Sequence, residues 1–377
     1  MAYDKVVDSA SLDSKLTQVA DAIRTKGNTS ADLQFPSGFI SAIQAIQTGT
    51  ELKIIVSVTS GATITATKGS LSVSGTSVNN SCTLTVPEEG DWTVRATLGG
   101  QTSTSSIVNV VSSYNTTLEF ISATLNDNSW EKIREISDAG TGENYWSIGD
   151  RKAVTLNGTV GALTLSNVTT YVFIIGFNHN SSVEGTNRIH FQLGKTALSG
   201  GTDVALCDSH YDNTGGGFRM NTNNSNYGGW ASSNMRTAIC GTSLSSYSGT
   251  IIAVIPAALR AVLKSVTKYT NNIGNSSAAS AVTATTDYFF LLSEYEVFGT
   301  TTYVNSNEAR KQAQYSYYSA GNSKIKYIYN STSTAARWGL RSPAASYTTS
   351  FTYVYSNGIL SYTYANYSYG FAPGFCV

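Results

Sequence analysis

Charge is what this sequence has little of. Only 13% of its 377 residues are Asp, Glu, Lys or Arg, and 24 basic residues balance 24 acidic ones. With no basic excess there is nothing to neutralise a phosphate backbone, so nucleic acid is not an expected partner. Proline (5), methionine (3), histidine (3) and cysteine (4) are all scarce. Cys82, Cys207, Cys240 and Cys376 form no C-x-x-C pair, so no metal or redox motif is present and each reads as a small buried apolar residue. A Cys207–Cys240 bridge stays open on sequence proximity alone. No apolar run approaches the length of a membrane-spanning helix, so membrane insertion is not expected. The start, MAYDKVVDSASLDSK, lacks the basic and apolar regions of a secretory leader.

Gly, Ser, Thr, Asn and Tyr are there in quantity, with 33 Gly and 23 Tyr. Such a composition suits a β-rich protein that works outside a cell or on a virion. At this length roughly two or three domains are expected, each able to bury its own core. The fold class read from the sequence is multidomain and mainly β with α+β: a short helical start, an immunoglobulin-like sandwich and a large C-terminal α+β domain.

Residues 1–50 predict two short amphipathic helices. Leu12, Leu16, Val19, Ala20 and Ile23 share one face, with Ser11 as N-cap and Gly27 as the stop. Phe39, Ile40, Ile43 and Ile46 form a second stripe ended by Gly49. Neither is stable alone, so each must bury its stripe against the other, a second copy or another protein. Residues 51–113 switch to period two. LKIIVSV, TITAT, LSVSG, CTLTV, WTVRATL and SIVNVV are separated by turn signals, as in a small immunoglobulin-like sandwich with Trp92 in its core. This segment carries no visible chemistry and reads as a spacer.

From residue 114 onward helix and strand signals mix. A helix is expected around Trp130, Ile133 and Ile136, and strands at YVFIIGFNHN and DYFFLLSEYEVFG. A helix with Leu259, Val262, Leu263 and Val266 on one side is expected in IIAVIPAALRAVLKSVTKYT. Few constellations here suggest catalysis. Cys207-Asp208-Ser209-His210 and His179 lack a second ligand pair at metal spacing. Glu294 and Glu296 would share one strand face, where a glycosidase pair is conceivable but a solvated face or an ion pair is the simpler reading. No cofactor, metal or catalytic role is expected.

The end of the chain is the most biased part. Beyond Arg341 there is no charged residue and no His. Tyr recurs at 347, 353, 355, 362, 364, 367 and 369 among Ser, Thr and Asn. Tyr offers large, stiff, half-polar contact area with only two torsions to freeze, and the small polar residues add adaptable hydrogen bonding. That is a recognition surface by composition. A Tyr/Thr-rich strand with some rings in the core is the plain alternative.

The order LRSP, then V-x-S-x-G-x-L, then G-x-A-P-x-F resembles the variable region of diversity-generating retroelement target proteins. Those proteins carry a C-type-lectin-like fold, and many belong to phage tails. The string YWSIGD…IIGFNH…GGWASSNMR…LRSP…GFAPGF is similar to domains of phage and surface proteins of Gram-positive bacteria. LTQVADAIRTKGNTSADLQFPSGFISAIQAI is similar to N-terminal segments of tail-associated proteins. The resemblance implies a ligand-binding set of Tyr347, Ser350, Tyr353, Tyr355, Asn357, Ile359, Ser361, Tyr362, Thr363, Tyr364, Tyr367 and Tyr369, within a variable region 344–369. It implies a scaffold of Trp338, Leu340, Arg341, Pro343, Val354, Gly358, Leu360, Gly370, Pro373 and Phe375. Changing the adenines of Asn codons cannot produce Lys, Glu, Gln, Trp or Met, and none of these occurs in that region. Implied partners are a host cell-surface protein or glycan, other phage tail proteins and further copies of the chain, with a trimer favoured. The implied location is the virion. Two alternatives stay open: a structural tail subunit with the Tyr-rich strand in an interface, and a carbohydrate-active envelope enzyme.

Overall fold

The computed structural model describes residues 9–45, 51–103 and 106–377. The chain divides into two compact units, Met1–Phe120 and Ile121–Val377. It is multidomain and mainly β with short helices, and its strands fall into several separate sheets.

In the first unit, helices Ser9–Gly27 and Ser37–Ala45 form where the apolar spacing predicts them. Ala20, Ile23 and Phe39 are buried between them, with Leu16, Leu33 and Ala42 packed alongside. The first helix starts at Ser9, so Ser11 is an interior residue and not the cap. Leu12, Val19, Ile40 and Ile43 remain exposed. The expected contribution of Ile46 and Gly49 lies outside the described residues.

The six strands expected in residues 51–113 all form, between Lys53–Ser57 and Ser106–Val110. Period-two alternation places Ile54, Val56, Ile64, Ala66, Leu84, Trp92, Val94 and Val108 in one core, because successive strand side chains point to opposite faces. Two sheets result. One has Ser81–Thr85, Lys53–Ser57 and Ser113–Thr117 side by side; the other centres on Gly90–Leu98. Strand Ser113–Thr117 pairs parallel to Lys53–Ser57, register Ile55↔Asn115. The unit therefore runs to Phe120, past the boundary expected at 113.

The second unit is built on a five-stranded antiparallel sheet. Its order is Phe289–Phe290, Gly374–Cys376, Ile189–Lys195, Leu163–Phe177 and Arg151–Val160. Every residue of Ile189–Lys195 is buried, as befits a central strand covered on both faces. Helix Trp130–Asp138, capped by the Ser129 side chain, lays Trp130 edge-on to Phe191 and Phe375. Phe375, Cys376 and Val377 are fully buried in this core.

Two expectations in this unit are corrected. The segment 251–270 is not one helix. It forms two short helices, Ile251–Val254 and Ala257–Val262, and then strand Val266–Asn271. Pro256 forces Ile255 out of the helical region, and the β-branched run beyond it pairs with Val282–Asp287. Glu294 and Glu296 are not on a strand either. Helix Glu294–Phe298 begins with a capping box, in which the Ser293 hydroxyl accepts the Glu296 N–H and the Glu296 carboxylate accepts the Ser293 N–H. Ser-x-x-Glu was therefore a helix start.

Candidate functional site

The Tyr-rich end folds as a three-stranded antiparallel sheet of Trp338–Pro343, Ser350–Val354 and Leu360–Tyr364. The turn between its last two strands needs Gly358, whose φ of +85° few other residues adopt. Leu360–Tyr364 is an edge strand, and its side chains are half-buried or exposed on both faces.

Register sorts the tyrosines into two groups. Tyr353 lies opposite Ser361, and Phe351 opposite Thr363, on one face; Tyr362 opposes Thr352 and Tyr364 opposes Ser350 on the other. On the first face Tyr355, Tyr353, Tyr369 and Tyr367 run ring to ring at 6.2, 5.4 and 6.2 Å. Thr363 and Tyr369 share a hydroxyl hydrogen bond of 2.6 Å. Arg337 closes this row. Its guanidinium lies 4.6 Å from the Tyr355 ring centre, donates to the Tyr355 hydroxyl and pairs with Asp212 at 2.6 Å. On the second face Tyr362 stacks on Tyr347 at 4.2 Å, donates to its hydroxyl at 2.8 Å, and takes Tyr303 edge-on at 5.0 Å. Tyr364 lies 5.9 Å from Tyr367 at the hairpin end.

The twelve residues expected to face a ligand are therefore not equivalent. Tyr347, Asn357, Ile359 and Tyr364 are exposed; Tyr355, Ser361, Tyr362, Thr363 and Tyr367 are half-buried. Ser350, Tyr353 and Tyr369 are buried, and the expectation that they face solvent is corrected. Ser350 is buried with its carbonyl held by Asn226, while Tyr353 and Tyr369 stack on each other. Tyr303 was not foreseen, since it lies far upstream of the Tyr-rich run.

The scaffold residues hold these faces in place. Trp338, Leu340, Arg341, Val354 and Phe375 are fully buried, Pro343 and Pro373 are buried, and Leu360 is half-buried. A side chain at Gly370 would overlap the Arg337 carbonyl at 2.8 Å and Ala205 at 2.7 Å, so only glycine fits that crossing.

Beneath the hairpin lies a buried charge network. Arg341 donates two bonds to Glu296, at 2.5 and 2.9 Å, and further bonds to the Leu291 carbonyl and the Thr270 hydroxyl. Lys268, also fully buried, reaches Glu184 at 2.6 Å, Glu296 at 2.8 Å and the Tyr315 hydroxyl at 2.9 Å. Burial pushes the Glu296 carboxyl up, but Arg341 and then Lys268 outweigh it and hold the group well below the usual carboxylate range. Burial wins at Glu184, which is raised. His179 stacks on Tyr315 at 3.7 Å, and burial lowers it to about 3; His190 is likewise driven down by burial. Both imidazoles are neutral near pH 7.

His179, Glu184 and Glu296 bring ligand atoms within 4.8 Å of one another, a metal-like spacing. The donor set does not suit a cation, because the Lys268 ammonium already bridges both carboxylates and Arg341 takes the rest of Glu296. Two cations and two carboxyl groups meet here, which is a structural ion cluster.

The other catalytic candidates do not assemble. Cys207 lies against the Ala205 carbonyl and His210 against the Ser209 hydroxyl. Asp208 is structural, accepting from the His210 and Gly217 N–H groups and the Ser368 hydroxyl. Glu294 accepts from the Thr302 and Tyr303 N–H groups, while Glu296 serves Arg341 and Lys268, so the two carboxylates face different partners. Both are buried, which corrects the solvated-face reading. All four cysteines are buried free thiols, and no Cys207–Cys240 bridge forms.

No described helix is long and apolar enough to cross a membrane. Residues 209–377 match a family described as a domain of unknown function (DUF6273). That stretch contains the whole Tyr-rich hairpin, Lys268, Glu296 and Arg341, but not His179 or Glu184. No curated protein and no solved structure matches the chain.

Proposed function

We propose that this chain is a host-attachment protein of a phage tail, binding a host-surface ligand through the Tyr-rich hairpin. In this reading the C-terminal unit is a C-type-lectin-like domain, residues 51–113 are the body of an immunoglobulin-like spacer, and the helices attach the protein or join its copies as a trimer. The observation that carries it is the hairpin itself. Stiff aromatic rings line both faces of an edge strand whose root is locked by fully buried Arg341 and Glu296. A rigid base under exchangeable side chains suits binding more than turnover, because affinity gains when little order is lost on association. The exposed Leu12, Val19, Ile40 and Ile43 support an attachment role for the helices.

The reading is tested on the gene. A near copy of the codons for Ser342 to Tyr369, differing only at adenines and lying beside a reverse-transcriptase gene, is the expected finding. Its absence would leave the Tyr-rich hairpin a fixed surface. Binding of the purified protein to Gram-positive host cells is the functional counterpart. Tyr rings buried between copies in an assembled particle would favour the structural-subunit alternative.

A further inference from the structure

The hairpin does not stand alone. Asn226, buried, spreads its amide over the carbonyls of Ala344, Tyr347 and Ser350 at 3.3, 2.5 and 2.9 Å, and its N–H meets the Thr348 carbonyl at 2.9 Å. Five residues earlier, the Asn221 N–H bonds the Ala365 carbonyl at the hairpin end. The loop between these anchors and the π-helical turn Met235–Cys240 enclose a cleft of about 370 Å³. The cleft is thereby fixed to the segments carrying Tyr347 and Tyr364.

Its chemistry is distinctive. Thr222, Asn223, Ser225, Tyr227, Ser232 and Asn234 line it, and no Asp, Glu, Lys, Arg or His does. The nearby Arg236 is turned away onto Asp287 at 2.6 Å. The frame is internally bonded, with Asn221 donating to the Ser225 carbonyl and accepting from the Asn234 N–H. Yet the side chains of Thr222, Asn223, Ser232 and Asn234 make no hydrogen bond within the described protein. Tyr227 stands 81% exposed, the highest among the large hydrophobic side chains of the described residues. Beside Ala365, the buried amide oxygen of Asn366 has no protein donor.

We propose that this cleft is a subsite for a neutral carbohydrate, contiguous with the Tyr-rich hairpin and lying outside the region 344–369. Unpaired amides and hydroxyls with no net charge match a polyol, and the exposed Tyr227 ring offers a face for the apolar side of a sugar. A phosphate-bearing polymer would find no cation here to pair with. A protein partner would need about 800 Å² with an apolar centre, which this polar cleft does not provide. The inference rests on the attachment reading and names the ligand class for it.

The experiment is calorimetric titration of the full chain with neutral hexose and N-acetylhexosamine trisaccharides, and with a glycerol-phosphate oligomer. At least one neutral sugar should bind, and Tyr227→Ala combined with Asn223→Ala should weaken it at least about tenfold. Both side chains are exposed and unbonded, so the fold survives the change. No neutral sugar binding at about 10 mM, or binding indifferent to the double variant, would overturn the subsite. Preference for the phosphate oligomer would overturn it as well. Host-cell binding separates the two claims. Loss on removing hairpin tyrosines, with indifference to Tyr227 and Asn223 and to periodate oxidation of the cells, would keep the attachment reading and refute the carbohydrate subsite.

Discussion

Arg341 and Glu296 meet in a two-pronged ion pair, at 2.5 and 2.9 Å, with neither side chain reaching solvent. One lies on the root strand of the Tyr-rich hairpin and the other in the capping box of helix Glu294–Phe298. The pair therefore ties the Tyr-rich hairpin to the core of its unit. Removing one partner of such a pair leaves the other charge buried and uncompensated. Arg341→Leu is expected to cost about 3–5 kcal/mol, read as a lowered midpoint in urea unfolding. Arg341→Lys should also be costly, since an ammonium cannot reproduce the fork. A variant as stable as the parent would show that the pair contributes little.

The two classes of tyrosine predict opposite behaviour. Replacing Tyr347, Tyr355, Tyr362 and Tyr364 together by Ala should abolish ligand binding and leave the far-ultraviolet circular dichroism unchanged. Replacing buried Tyr353 or Tyr369 should cost about 3 kcal/mol of stability each. Binding that survives the fourfold change would place the site elsewhere.

Asn226 is predicted to be a positioning residue. Asn226→Ala removes the amide that spans three hairpin carbonyls, costing about 2 kcal/mol. Hydrogen exchange should report the change locally, as faster exchange of the 344–350 amides with little effect on the central strand Ile189–Lys195. Uniformly faster exchange would mean global destabilisation instead.

Glu294 makes stability depend on pH in a defined direction. Burial raises its carboxyl to about 7, against the N–H groups of Thr302 and Tyr303, which favour the charged form. A raised acid binds its proton more tightly in the folded chain than in the unfolded one. Its contribution is complete below the unfolded value of 4.5 and is lost as pH rises through 7. Glu294→Gln keeps an acceptor for those N–H groups and cannot ionise. It should match the parent at pH 4 and exceed it at pH 8 by at most about 3 kcal/mol. The two buried histidines act the other way, since their lowered values cost stability as pH falls below the usual 6.5. Comparing parent and variant at each pH cancels that effect. Equal stability at both pH values would show that Glu294 is not raised.

The exposed stripe of the first helix pair gives a final test. Val19→Glu with Ile40→Glu should lower the oligomeric state in sedimentation and leave the C-terminal unit folded. An unchanged sedimentation coefficient would remove the helices from any assembly role.

Much of the local structure was legible before any coordinates. Alternation alone located the strands of residues 51–113 and the buried Trp92, and the spacing of Ile133 and Ile136 located the helix after Ser129. The errors share a cause. DYFFLLSEYEVFG has strand-like residues throughout, but Ser293 and Glu296 close a capping box, and a specific cap outweighed diffuse propensity. Pro256 broke a helix that periodicity alone would have continued.

The site divides along the same line. Sequence by itself determined that the chain end is neutral, aromatic and flanked by Gly and Pro, because composition needs no partner to be read. It also contains no apolar run of membrane-spanning length and no C-x-x-C pair. Only the tertiary structure decided which tyrosines reach solvent, since one residue of register moves a side chain to the opposite face. It brought Tyr303 to Tyr362 and Asn226 under the hairpin. It also gathered Glu184, Lys268, Glu296 and Arg341 into one buried cluster. Those residues are separated by up to 157 positions, from Glu184 to Arg341. A lone charge in an apolar stretch carries no mark of its partner, so the pairing that makes its burial tolerable exists only once the chain has folded.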